Sequence, residues 1–319
     1  QDAFITTEET RKGFELIIKE CHKRGMKVIP YFGYEISTLS PLFNEYGDKF
    51  RVTLYDEGDN WFWCRTPAQR AMPVCMNSGW REVFFNGIKN LYEELGFDGF
   101  YFDMALQPRC CINDKHGCGY TDETGKVHRT FTPFATRELA KSACELVSKK
   151  GDVINFHPSG CHSLAVLGFC SSLFEGEFFQ GDFIHGKLDD MPEPLLRAIM
   201  DGHTTGTPVV GTVYVTEKWS YHQALGMLLL HKKKQKTVCW EDGLEELSKI
   251  WKVYDLFKSA DVVWKPYYKD GCPITSLDKH IKVSCYEKEN QILAIVATTN
   301  KNFSGKAKII SKSFLVDFD

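Results

Sequence analysis

Three times along the first half of the chain, apolar residues at helical spacing give way to a short continuous apolar run. In the first instance Phe14, Ile17, Ile18 and Cys21 stand at i, i+3, i+4 and i+7, behind Thr6-x-x-Glu9 as a capping box and before Gly25 as a stop. The run that follows, Met26-Lys-Val-Ile-Pro-Tyr-Phe-Gly33, does not alternate, as expected of a parallel strand covered on both faces. The second instance predicts a helix from Ser78 as N-cap through Trp80, Val83, Phe84, Ile88, Leu91, Tyr92 and Leu95 to Gly96, then a strand over 97–103. The third opens at Thr132-Pro133, runs through Leu139, Leu146 and Val147, and passes into a strand over 152–157 that Pro158 ends. Helix-to-strand steps of this kind imply parallel strands with right-handed crossovers.

Further strands are expected at 172–178, 208–214 and 236–240, and helices at 194–200, 221–230 and 244–257. Then the period changes. Ile281, Val283 and Cys285 alternate, a Glu-Lys-Glu-Asn turn follows, and apolar runs at 292–298, 306–310 and 313–316 read as antiparallel strands. The chain is therefore α/β. Residues 1–260 read as a (β/α)8 TIM barrel, with a doubly wound open sheet as the alternative, and residues 261–319 as a small antiparallel, sandwich-like β-domain. About six barrel strands are legible where closure needs eight. The chain also opens on a helix, so either weak strands escape the pattern or the first two β/α units lie upstream of Gln1.

Composition narrows the function classes. With 43% hydrophobic and 25% charged residues in 319, there is ample material for a core. Lys+Arg 39 against Asp+Glu 42 leaves a net charge of −3 with no basic stripe, which argues against nucleic acid as a partner. No apolar run approaches the ~20 residues of a membrane span, and no signal-peptide pattern follows Gln1. The 12 cysteines are scattered from Cys21 to Cys285, unlike a secreted disulfide framework, so reduced thiols in a cytoplasm or an anaerobe are the expectation.

In either α/β architecture the site lies at the carboxyl ends of the strands. Asp103 closes an apolar strand and leads into a connection, 104–131, far longer than the usual ~2–6 residues, of the kind that forms lids and binding loops. It either caps that turn or presents a carboxylate at the mouth. Glu175 and Glu177 sit at i and i+2 of an extended segment, hence on one face, where like charge would raise one pKa as a proton donor requires; the alternative is a solvated strand end. Glu177 is the preferred actor by position. Asp103 with Glu177 would make the two-carboxylate arrangement of glycoside hydrolysis. Asn155 and His157, the latter either a sugar contact or a satisfied rim histidine, stand at another strand end, and Glu35 follows Tyr31-Phe-Gly-Tyr34 at a third. Tyr34, Trp63 and other loop aromatics, Tyr31 among them, offer ring faces for pyranose stacking or fill the core. No cofactor is called for. The long loop does carry Cys110-Cys111-x4-His116-Gly-Cys118, where a structural zinc on Cys110, His116 and Cys118 competes with thiols packed under a lid or paired with Cys64 or Cys75.

The segment Cys75-Met-Asn-Ser-Gly-Trp80, a helix, and then Gly96-Phe-Asp-Gly-Phe-Tyr-Phe-Asp103 resembles the fourth β/α unit of TIM-barrel glycoside hydrolases, including the α-galactosidase-like clan. With His116-Gly-Cys-Gly-Tyr120, Ala135-Thr-Arg-Glu138, His157-Pro-Ser and Glu175-Gly-Glu177, the chain is similar to a poorly characterised bacterial group of such barrels over about residues 10–240. The resemblance implies a nucleophilic Asp103 at strand 4, Glu177 as acid/base at strand 6, and a C-terminal sandwich. It also implies that two strands precede the chain. The clan's Lys-x-Asp signature is replaced by Tyr101-Phe-Asp103, its sixth-strand acid is usually Asp, and no Asp-Glu pair follows strand 4. The expected function is that of a glycosidase with a two-carboxylate, retaining mechanism, acting on an oligosaccharide or glycoconjugate, with Asp103 and Glu177 catalytic and Glu175, His157, Asn155, Glu35, Tyr34 and Trp63 binding substrate. The alternatives are a non-catalytic carbohydrate-binding barrel and a metal-dependent hydrolase using the Cys/His-rich loop.

Overall fold

Thr7, one residue later than expected, caps the first helix, α1 (Glu8–His22): its hydroxyl accepts the Thr10 N–H at 3.2 Å, and Glu8 and Glu9 occupy the first turn, where the helix dipole favours acids. Ile18 of this helix is buried whereas Ile17 is 51% exposed, so the buried stripe is narrower than the pattern suggested. The computed structural model describes residues 6–54, 63–66, 69–158, 163–176, 194, 197–198, 206–211, 221–232, 234–235, 244–257, 261–298 and 308–311. The expected helix at 194–200 and strand at 236–240 lie largely or wholly outside them.

Of the apolar run after α1, only β1 (Tyr31–Phe32) has strand pairing. Pro30 has no N–H to contribute, although its carbonyl accepts the Tyr101 N–H at 2.9 Å and the Val28 carbonyl accepts the Asp98 N–H at 2.9 Å. Next come β2 (Glu35–Ser37), α2 (Phe43–Phe50), β3 (Trp63–Thr66) and β4 (Gln69–Pro73), with the strands in antiparallel order β2-β4-β3. α3 (Trp80–Leu95) ends where Gly96, at φ 76, takes the left-handed conformation and returns its N–H to the Tyr92 carbonyl. It delivers β5 (Gly99–Asp103). The connection after β5 contains β6 (Cys110–Cys111), β7 (Tyr120–Thr121), β8 (Val127–His128) and β9 (Thr130–Phe131), paired as β6–β9 and β7–β8. Then α4 (Pro133–Ser148), with proline at its first position, leads to β10 (Val153–His157), α5 (Leu164–Leu167) and β11 (Ser172–Glu175).

The chain divides into two units, Gln1–Leu173 with Thr205–Pro208, and Phe174–Thr204 with Val209–Asp319. In the first, β1, β5 and β10 are parallel neighbours, and Ser172 and Leu173 of β11 continue the order beside β10. One face of this sheet is aromatic and closed: Phe84 of α3 lies 6.0 Å from Phe32 and 6.2 Å from Phe102, and Tyr92 lies 5.5 Å from Phe100. Each such ring contributes about 1.5–3 kcal/mol by leaving water. Gly99, at φ 131, lets β5 and β10 approach: a Cβ there would stand 1.8 Å from the Val153 carbonyl oxygen.

In the second unit β12 (Val209–Gly211) pairs in parallel with β13 (Lys234–Gln235), and α6 (Tyr221–Leu230) and α7 (Leu244–Leu256) fall where helical spacing put them. The period-two segment forms β14 (Val263–Lys265), β15 (Ile274–Ser276), β16 (Ile281–Lys288), β17 (Gln291–Thr298) and β18 (Ile309–Ser311), all antiparallel, with order β14-β16-β17 and β15-β18. The β16–β17 turn takes Glu289 to φ 45, and Ile274, Ile281 and Val283 form a buried cluster against which the partly buried Ile292, Ala294 and Ile309 pack. Among the described residues, no helix is long and apolar enough to cross a membrane.

Candidate active site

Alternation along the strands of the first unit separates two sets of side chains. Phe32, Phe100, Phe102, Ile154 and Phe156 are buried, at most 1% exposed, on the helix side. The other set is polar and more open: Tyr31, Tyr101 and Asn155 stand in register across β1, β5 and β10, and Asp103 and His157 form the next register pair toward the carboxyl ends. The open face therefore carries its chemistry at the end where α/β folds place their sites.

Asp103 is the centre of that end. Its side chain is 22% exposed, and His157 Nδ1, from a buried imidazole, sits 3.1 Å from Asp103 Oδ1. A carboxylate only accepts, so in this contact the imidazole proton is on Nδ1. The Tyr31 hydroxyl donates to Asp103 Oδ2. Tyr31 in turn stacks on Tyr101 at 5.6 Å and 26°, and Tyr101 lies 6.2 Å from the His157 ring. The carboxylate is thus oriented through both oxygens.

The backbone reinforces this. Met104, directly after Asp103, adopts φ 54, and its N–H donates to the His157 carbonyl at 2.8 Å. A left-handed non-glycine residue costs of order 1–3 kcal/mol, and such strain clusters at functional sites. Here the turn hooks the end of β5 onto the end of β10, which keeps Asp103 beside His157.

The remaining expected site residues are distributed as follows. Asn155 Nδ2 donates to Ser172 Oγ at 2.7 Å, while its Oδ1 is buried and, among the described residues, without a hydrogen-bond partner. Tyr34 is buried, and the Arg109 guanidinium lies 3.9 Å over its ring, with an Arg109 Nη 3.8 Å from Met104 Sδ. Glu35 is buried at the start of β2 opposite Pro73, and Trp63 stands on β3 opposite Ala71. Glu175 ends β11 and is fully buried. Glu177 lies outside the described residues. Two participants escaped the sequence reading. Tyr31 was visible only as a loop aromatic, and its link to Asp103 depends on a register between β1 and β5 that no local pattern encodes. Arg109 gave no signal beyond its place in the long loop.

A second polar cluster lies in the long connection. Cys75, Cys111 and His116 bring their ligand atoms within 4.8 Å of one another, all buried, and Cys118 Sγ is 3.7 Å from Cys75 Sγ. The Cys111 thiol has its pKa held well below the ordinary thiol value, first by a hydrogen bond from Cys75, whose own pKa is pushed up by the same contact and by burial. Cys110, one of the three residues considered for zinc, is half-buried on β6 and is not among these ligand atoms.

No family model matches the chain, and no curated protein does. Solved structures do resemble it. The α-N-acetylgalactosaminidase NagBb of Bifidobacterium bifidum is 12% identical with a TM-score of 0.54, and the match covers 94% of this chain and 44% of that one. The maltogenic α-amylase AmyB of Thermotoga neapolitana is also 12% identical, at TM-score 0.52, with 90% of this chain and 68% of that one covered. The chain thus spans less than half the length of NagBb. At this identity the likeness concerns the fold, and the chain shares its fold with glycoside hydrolases.

Proposed function

We propose that this protein is a glycoside hydrolase of the retaining, two-carboxylate type, built on a (β/α)8 barrel followed by a β-sandwich. The observation that carries the reading is Asp103: a part-exposed carboxylate at the end of a parallel strand, held through separate oxygens by Tyr31 and His157. A nucleophile that must attack an anomeric carbon needs a fixed direction, and these two contacts supply it. In the proposed mechanism Asp103 attacks the anomeric carbon, and Glu177, two residues beyond the end of β11, protonates the leaving oxygen and then activates water. Retention requires their carboxyl groups ~5–5.5 Å apart. Asn155, whose buried Oδ1 has no partner among the described residues, and the Tyr31 and Tyr101 rings are the proposed contacts for sugar hydroxyls and the pyranose face. Glu175, Glu35, Tyr34 and Trp63 remain proposed substrate contacts; Glu175, Glu35 and Tyr34 are buried, so their contact with a sugar requires their cover to move aside.

The fold relatives, an α-N-acetylgalactosaminidase and a maltogenic α-amylase, suggest which substrates to try first. The test is turnover of a panel of aryl α- and β-glycosides by the complete gene product, with Asp103→Asn and Glu177→Gln as controls. The proposal expects at least one substrate to be hydrolysed and both variants to lose activity, Asp103→Asn by about a thousandfold or more. Wild-type rates in both variants would refute the site. Sugar binding without turnover would favour the carbohydrate-binding barrel instead. The metal-hydrolase reading is weakened by His157, which faces Asp103, and by the burial of the Cys/His cluster away from water.

A further inference from the structure

Four residues from three separate stretches of chain converge where the long connection after Asp103 crosses the start of α3. Cys75 comes from the segment between β4 and α3, Cys111 from β6, and His116 and Cys118 from the turn beyond it. All four are at most 7% exposed. Two of their separations match the edges of a coordination tetrahedron, and the ligand atoms of Cys75, Cys111 and His116 lie within 4.8 Å of one another. Zinc–sulfur bonds of about 2.3 Å and zinc–nitrogen bonds of about 2.0–2.1 Å put sulfurs about 3.8 Å apart, and sulfur about 3.6 Å from nitrogen. The observed separations are 3.7 Å for Cys75 Sγ to Cys118 Sγ and 3.8 Å for Cys111 Sγ to His116 Nδ1.

The surroundings are those of a prepared metal site. His116 Nε2 lies 2.8 Å from the Lys49 carbonyl, an acceptor only, which puts the imidazole proton on Nε2 and leaves the Nδ1 lone pair facing the thiols. The Thr53 and Asn113 backbone N–H groups donate to Cys111 Sγ at 3.5 and 3.4 Å, and Asn77 Nδ2 donates to Cys118 Sγ at 3.7 Å. Three N–H donors aimed at sulfur suit thiolates. Val52 and Leu54 pack against the cluster and keep it dry.

We propose that Cys75, Cys111, His116 and Cys118 bind one zinc ion as a closed structural site that ties the loop leaving Asp103 to the segment entering α3. Three soft thiolates and one imidazole in tetrahedral array select zinc over harder divalent ions. Binding takes the remaining thiol protons to solvent, and no electron transfer is involved. With all four positions filled by protein, the ion has no place for a water, so its role is to hold the loop rather than to hydrolyse. This inference is independent of the glycosidase assignment.

The test is metal analysis of the full chain purified without chelator and with a non-metal-binding reductant. The expected result is about one zinc per chain. After removal of the zinc, Co²⁺ should give the visible bands and thiolate-to-metal charge transfer of a tetrahedral sulfur-rich site. Cys111→Ser and His116→Ala should each lose the metal and lower Tm, whereas Cys110→Ser should keep both at wild-type values. If the variants do not fold, X-ray absorption of the wild-type protein decides, with three sulfur neighbours and one nitrogen expected. Protein that is isolated without zinc and takes up no Co²⁺ would overturn the proposal. So would a Cys75–Cys118 disulfide in protein alkylated before lysis, or loss of metal in Cys110→Ser equal to that in Cys111→Ser.

Discussion

Tyr31 and His157 each contact a different oxygen of the Asp103 carboxylate. A hydrogen bond to a charged group is worth about 1.5–3 kcal/mol, so a bond that must persist in the transition state corresponds to about ten- to a hundredfold in rate. Tyr31→Phe removes the donor to Oδ2 and keeps the ring stacked on Tyr101, so kcat should fall by that factor while Tm stays near wild type. His157→Gln should do the same through Oδ1, at a greater cost in stability because the imidazole is buried. Steady-state kinetics beside thermal melts separate the two effects: a fall in Tm with unchanged kcat would make either residue a packing element only. Asp103 and His157 were both legible in the sequence, since each is the last residue of a short apolar strand. Tyr31's role was not, because its partner lies 72 positions away and only the parallel pairing of β1 with β5 brings them together.

At the scale of elements, the units α3–β5 and α4–β10 follow from local pattern, because each has a long amphipathic helix, a stop signal and a buried strand. The β2-β4-β3 sheet was not legible: strands of three to five residues hold too few alternations to show a period, and β4 carries Arg70 and Pro73. The strand before Gly33 was legible in kind but not in extent, since Pro30 interrupts its donors. Gly99 is the most exacting position of this layer. Gly99→Ala would drive a methyl group into the Val153 carbonyl at a φ of 131, and should destabilise by about 3 kcal/mol or more, read as a lower urea midpoint with m unchanged. A midpoint within error of wild type would show that β5 and β10 are not packed this closely. The β7–β8 hairpin has its own sensitivity. Asp122 accepts from Thr124 and pairs with His128, and these contacts, Thr124 first, hold its carboxyl far below the usual carboxylate range. A lowered folded-state pKa gives support that is complete above the unfolded value near about 4 and fades as pH falls below it. Amide exchange at Thr124 and Lys126, whose N–H groups bond Asp122, should therefore lose protection, relative to intrinsic rates, as pH drops through that window, and Asp122→Ala should abolish the pH dependence.

For the whole molecule, the period-two segment that forms β14 to β18 was legible, and so was the parallel pairing of β1, β5 and β10, whereas the antiparallel pairs between β2 and β9 were not. The second carboxylate is the part that the fold alone does not supply: Glu177 rests on its position after β11. The account stands most directly on Asp103 as the nucleophile. The decisive measurement is peptide mapping after incubation of the complete gene product with an activated fluoroglycoside of the sugar that the substrate panel selects. The account predicts one glycosyl adduct, on the carboxylate of Asp103, formed as activity is lost and absent from Asp103→Asn. An adduct on another carboxylate, or turnover with inversion and no adduct, would contradict it.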